Sequence, residues 1–322
     1  MTAGRRFLLV LGIVLTIAAP MARAIEAQSP RLVKIGALTE SWGPTPAIVG
    51  LRDGLQELGH RENQDFVLGV RFTQGNLAEL PEAARALVRH GVDLIVTTGD
   101  SAVKAAQIAT TQIPIVFVHG SDPVEAGLVK SFARPGIADL ELELVPKRME
   151  IFHELIPGLK RVLLVYDATN ALAVSRLDVH REAAHRLGLT LVERPVRTED
   201  EARSVISAVR KGEVDGIFSP RLLVLNIPGL ILEIAPKRAI PTMFDDAFYV
   251  ERAGLASYAA NLYGLGRQAA RLVDKILKGA KPGDVPVEQP TKFELAINLK
   301  AAKALGITIP QSILLRADRV LQ

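Results

Sequence analysis

The sequence predicts an α/β protein built as two doubly wound, mostly parallel-sheet lobes. Three observations point there. Short apolar runs alternate with segments of helical spacing from Lys34 onward. The alternation falters near residue 140 and then resumes, leaving two blocks of similar size. At about 150 residues per domain, a chain of 322 residues holds two domains. Strands separated by helices form parallel sheets, because a parallel neighbour needs a crossover and a helix is the usual one.

In the first block, VKIGAL (33–38), DFVLGVRF (65–72), LIVTTG (94–99) and IVFV (115–118) read as strands. PAIVGLRDGLQEL (46–58), LAELPEAARALVRH (77–90) and SAVKAAQIAT (101–110) read as helices, two of them stopped by Gly59 and Gly91. Pro135, Gly136 and Pro146 mark the break between blocks. In the second block, 160–167, 190–196, 215–220, 240–246 and 255–258 read as strands. Residues 175–188, 227–238 and 266–279 read as helices. Thr198 and Glu201 form a capping box that opens a further helix through Arg210. The expected domains are an N-terminal lobe at 33–140, a C-terminal lobe at 141–258, and a segment at 259–322 that packs on one lobe or bridges both.

The first 24 residues stand apart. Arg5 and Arg6 precede the apolar run Phe7–Ala19, and Ala22-Arg23-Ala24 follows, which is the layout of a cleavable secretory signal peptide. The apolar run is shorter than the roughly 20 residues a membrane-spanning helix needs. Its three arginines leave with it and no acidic residue does, so the formal charge falls from +4 to +1. No basic cluster of the kind that binds nucleic acid remains. The chain has no cysteine, hence neither a disulfide nor a lipid-anchoring thiol. A soluble periplasmic product is expected.

In open parallel sheets, ligands bind beyond the carboxyl ends of the strands, where loops lead into helix N-termini with free N–H groups. Here those ends are polar. The first block offers Thr39, Glu40 and Trp42; Thr98, Gly99, Asp100 and Ser101; and His119, Ser121 and Asp122. The second offers Tyr166, Asp167 and Asn170; Arg221 after Ser219-Pro220; and Asp245 after Phe244. Two lobes facing each other across such ends make a clamp for a small molecule. Each residue also has a plainer use. Ser101 either meets a ligand carboxylate or caps its helix. Asp122 either holds an ammonium or makes an Asp-Pro turn. Trp42, the only tryptophan, is either a stacking wall or a loop anchor. Arg221 either meets a carboxylate or lies solvated, and Phe244 reads as core.

Enzymatic chemistry is not expected. His119, Ser121 and Asp122 are too close in sequence to form a triad with one another, and no G-x-S-x-G elbow exists. Gly264-x-Gly266-x-x-Ala269 matches a relaxed dinucleotide fingerprint but lacks the preceding strand and the following acid, so no cofactor is expected. The six histidines are scattered; His180 and His185 are wrongly spaced for one helical face, and no metal site is expected.

Four stretches carry a resemblance. They are 272–321, YVERAGLASYA (249–259), IPIVFVHGSDPVEAGLVKSFARPG (113–136) and IPGLKRVLLVYD (156–167), with QPTKFEL (289–295) the most specific run. Together they closely resemble the ABC-transporter substrate-binding protein family that includes tryptophan- and tyrosine-type binders. The resemblance implies a type I periplasmic binding protein: two α/β lobes, three crossovers, a hinged cleft, and delivery of a small solute to an ABC permease in the inner membrane. It places ligand contacts at Thr39–Trp42, Thr98–Ser101 and Ser121–Asp122, with Tyr166–Asn170, Arg221 and Asp245 opposite. A monomer is expected. The chain departs from the family in three places. Residues 137–144 replace a Gly-Asn-x-Thr-Gly crossover and look several residues shorter. Asp100-Ser101 stands where Thr-Pro or Thr-Ala is usual, which suits an ammonium better than a carboxylate. Ala259 stands for a glycine. Two other readings are a sensor docking on a receptor and a decayed paralogue with altered binding.

Overall fold

The computed structural model describes residues 32–41, 43, 45–120, 136–138, 141–210, 212–219 and 225–322. The proposed leader, Trp42, Ser121, Asp122 and Arg221 lie outside the described residues.

The first sheet is built from β1 (Val33–Thr39), α1 (Pro46–Glu57), β2 (Phe66–Phe72), α2 (Leu80–Arg89), β3 (Leu94–Thr98), α3 (Asp100–Ala109), β4 (Ile115–Gly120) and β5 (Gly136–Ala138). The chain then forms α4 (Glu141–Leu155), β6 (Arg161–Asp167), α5 (Ala171–Ser175), α6 (Leu177–Arg186), β7 (Thr190–Val196), α7 (Glu199–Ala208), β8 (Gly216–Phe218), α8 (Ile227–Ile234), β9 (Thr242–Phe244), α9 (Ala247–Arg252) and β10 (Ala256–Ala260). It closes with α10 (Leu262–Leu277), β11 (Val287–Glu288), β12 (Phe293–Asn298), α11 (Leu299–Leu305), α12 (Gln311–Leu314) and β13 (Arg319–Leu321).

Two sheets result. One has the order β11-β5-β4-β3-β1-β2, the other β13-β12-β10-β9-β8-β6-β7. Among the described residues every pairing of named strands is parallel except β10 with β12, which is antiparallel. In each sheet the second strand lies outside the first and the third returns to its other side. That reversal creates a switch point between β1 and β3 and another between β6 and β8. The strands at each centre are apolar on both faces, as Ile35, Ala37, Leu38 and Leu94–Val96 show, because helices cover both sides. Each fully buried leucine or isoleucine there contributes about 2 kcal/mol.

The last segment serves both sheets. Strand β11 extends the first sheet beside β5, while β12 and β13 extend the second. Helix α10 lies on α1. The contact is closer than side chains allow: a Cβ on Gly50 would lie 2.1 Å from the Tyr263 carbonyl oxygen, and one on Gly266 1.9 Å from that of Ala47. Gly54 meets the Ala270 methyl in the same seam. Gly266 of the false dinucleotide pattern therefore belongs to a helix–helix interface.

Several elements differ from the sequence reading. The break at 134–146 contains β5 and the first turns of α4. Pro146 lies inside that helix rather than before it, leaving the Leu142 carbonyl without the amide donor four residues on. The helix expected at 175–188 is α6, starting at Leu177, and a short helix that was not expected, α5, precedes it across Arg176. The helix expected from Gly266 begins at Leu262, because Asn261 caps it by accepting the Gly264 N–H. The capping box of α7 is shifted: Thr198 accepts the Glu201 N–H at 3.1 Å, but Glu201 reaches back to the N–H of Arg197 at 2.7 Å.

Candidate functional site

The two switch points gather most of the described candidates. In the first sheet Thr39 and Thr98 are direct neighbours in register at the carboxyl ends of β1 and β3. Thr39 is buried, and its hydroxyl lies 3.2 Å from that of Ser41. Ser41 in turn donates to the Gly43 carbonyl at 2.6 Å, which shapes the loop before α1.

Gly99 turns the chain from β3 into α3. Its φ of +87° lies in the left-handed region that favours glycine. A Cβ at that position would also lie 3.1 Å from Glu40 Oε1, so the missing side chain leaves room for the Glu40 carboxylate. Gly99 is the N-cap of α3, and no side chain caps the helix. Ser101 sits at the second helical position, so the capping role considered for it does not hold. Asp100 occupies the first turn, where the helix dipole favours a carboxylate. Thr39, Glu40, Thr98, Gly99, Asp100 and Ser101 thus form one acidic, hydroxyl-bearing corner. Strand β4 runs through His119 to Gly120, and its register with β5 shifts between Val118 and Gly120, so His119 stands at an irregularity of the strand end.

In the second sheet Tyr166 and Asp167 end β6. Asp167 is buried; its Oδ1 accepts the Thr169 N–H at 2.8 Å and the Thr169 hydroxyl at 2.7 Å. Asn170 accepts the Ala173 N–H at 3.2 Å and so opens α5. Both residues shape the loop that the sequence reading assigned to a ligand. Ser219 follows β8, fully buried, with no hydrogen-bond partner for its hydroxyl among the described residues. Asp245 follows β9 and is buried. Its neighbour Asp246 caps α9 through the Phe248 N–H at 2.8 Å. Phe244 is core, stacked on Tyr249 with ring centroids 4.9 Å apart.

The sequence reading missed a buried cationic group in the second sheet's core. Arg148 of α4 is wholly buried; its Nε donates to the Tyr258 carbonyl at 2.9 Å, and its guanidinium lies 5.9 Å from the Phe218 ring centre. His180 meets the same ring edge-on at 5.7 Å, and its Nδ1 lies 3.0 Å from the Arg176 carbonyl oxygen. Residues 145, 148, 149 and 152 share one helical face, and a charge on that face was the available signal. It was lost with the helix. Among the described residues, no three His, Asp or Glu side chains come together as a metal site.

Comparison with known proteins gives a consistent picture. A family profile described as "ABC transporter substrate binding protein" matches residues 33–321. The chain is 26% identical to a tyrosine-binding protein of Clostridioides difficile, over 88% of this chain and 83% of that one. A Streptococcus pneumoniae structure described as an ABC domain in complex with L-Trp superposes with a TM-score of 0.78 at 26% identity, covering 90% of this chain and all of that one. The ligand-free, open structure of a Clostridium difficile substrate-binding protein with adhesive properties superposes at 0.68 with 25% identity, over the same shares.

Proposed function

Because the chain belongs to the ABC-transporter substrate-binding protein family, we propose that it is the periplasmic solute-binding component of an importer. It closes two lobes on an amino acid or related small organic solute and presents it, chemically unchanged, to an inner-membrane permease. The observation that carries this reading is the pair of switch points, each ending in polar residues that a solute between the sheets would meet. The relatives it matches are binding proteins, one for tyrosine and one holding L-Trp, which favours an aromatic amino acid. At nearly equal identity the chain superposes better on the L-Trp complex than on the ligand-free open form.

The proposed lobes are 33–140 and 141–258, with 259–322 serving both. In the first lobe Glu40 and Asp100, with Asp122, hold the solute ammonium, and Thr39, Thr98, Ser101, His119 and Ser121 supply hydroxyls and backbone donors around it. Trp42 stacks on the solute. From the second lobe Tyr166, Asp167, Asn170, Arg221 and Asp245 close over the other side. Binding favours the closed arrangement because only there are both sets of contacts made. The leader directs export and is removed after Ala24, and the mature chain acts as a monomer without a cofactor.

Calorimetric titration of the mature chain tests the reading. Tyrosine or tryptophan is expected to bind, and tyrosine is expected to change the fluorescence of Trp42. The double substitution Ser101→Ala, Asp122→Ala is expected to weaken binding at least tenfold, which corresponds to about 1.4 kcal/mol, with no change in melting temperature. A screen of all common amino acids and small organic acids that yields neither heat nor thermal shift contradicts the reading.

A further inference from the structure

We infer that Asn261 is the pivot residue of the hinge, and that its contact with Glu294 sets the balance between lobe arrangements. The inference deepens the two-lobe reading above by naming the residue through which the lobes turn.

The chain passes between the two sheets three times: after β5, between β10 and α10, and between β11 and β12. The second passage is a single residue. Strand β10 ends at Ala260, held between β9 and β12, and α10 starts at Leu262. Neither side has slack. The strand is an inner member of its sheet, and the helix touches α1 backbone to backbone through Gly50 and Gly266. A rotation of one sheet against the other therefore falls on the dihedral angles of Asn261, which is extended at φ −71° and ψ 105°.

The polar groups of Asn261 are divided between the two bodies. Its Oδ1 accepts the Gly264 N–H at 2.6 Å, which ties the side chain to α10. Its Nδ2 donates to a carboxylate oxygen of Glu294, in β12 of the other sheet. Its N–H donates to the Lys292 carbonyl at 2.9 Å, which binds the second passage to the third. As α10 and β12 turn against each other, the Asn261–Glu294 contact stretches or breaks. The hinge side also has free space. A cavity of 880 Å³ opens there, bounded by α1 and α10 on one side and by Phe293, Glu294 and Asp318 on the other, with Asn261 in its wall.

The absence of cysteine makes the test direct. Phe72→Cys and Val174→Cys place spin labels at two exposed positions, the last residue of β2 and the helix that follows β6. Distances are measured by pulsed electron resonance on the solute-free chain, so a failure to bind any amino acid would sink the transport reading without touching this one. Asn261→Ser keeps the helix cap but is too short to reach Glu294. Glu294→Ala removes the same contact from the other side and leaves the cap alone. Each is expected to displace the rim-to-rim distance maximum or add a second one. A distribution superimposable on that of the parent in either folded variant overturns the inference.

Discussion

Asp65 illustrates how a single pair of side chains sets a local titration. It accepts hydrogen bonds from the Arg61 guanidinium at 2.9 and 3.2 Å and from the Arg61 N–H at 2.8 Å. These bonds hold its pKa at about 2, the Arg61 side chain contributing most. An unfolded aspartate titrates near 3.9. The folded value is the lower one, so the pair's contribution to stability is present above about pH 3.9 and is lost as pH falls towards 2. In Arg61→Ala, carboxyl NMR should show Asp65 titrating well above 2; an unchanged value would mean the guanidinium is not the cause. Arg148 is the opposite case, a charge with no access to solvent. Arg148→Ala removes the bond to the Tyr258 carbonyl and opens space beside Phe218, and should cost about 3 kcal/mol by chemical denaturation. A loss under 1 kcal/mol would show that water replaces the guanidinium freely. The one signal for Arg148, a charge on an otherwise apolar helical face, could be read only once α4 was recognised, because an arginine within a charged segment reads as solvated until the helix face is known.

Among the elements, the α1–α10 seam makes the sharpest demand on sequence. Gly266→Ala gains about 1 kcal/mol of helix propensity. Against that stands a methyl group 1.9 Å from a carbonyl oxygen that belongs to backbone and cannot rotate away. Overpacking costs about 1–3 kcal/mol where side chains can yield, and the upper end applies here. Net destabilisation of about 2 kcal/mol is therefore expected in thermal melts, whereas Gly69→Ala, with open space around it, should change little. A stable Gly266→Ala chain would mean the two helices are less closely joined. Gly264 misled by local rule: a glycine two residues before the expected helix reads as loop, yet it lies inside α10, whose cap is Asn261. Pro146 misled in the same way, marking a boundary by local rule while α4 runs through it. The seven-residue strands were plain in sequence, as β1, β2, β6 and β7 show, since apolar and β-branched residues concentrate in each. The two- and three-residue strands β5, β11 and β13 were not, because their only defining feature is a partner distant in the chain.

At the scale of the whole molecule, the two-block alternation was enough to anticipate two sheets, and the strand-end rule directed the site reading to their carboxyl edges. It could not separate residues that face a solute from residues that build the loop. Asp167, Asn170 and Asp246 satisfy backbone or hydroxyl donors within their own turns, as Asx residues do in many loops. The acidic corner of Glu40 and Asp100, and the burial of Arg148 against Phe218, emerged only when strands far apart in sequence were placed side by side. The central claim is that hinged lobes shut on a dissolved metabolite. Small-angle X-ray scattering of the mature chain, with and without saturating tyrosine or tryptophan, tests it most directly. The account predicts a smaller radius of gyration on binding and the parent value on removal of the solute. Calorimetric saturation with no change in the scattering curve would contradict it.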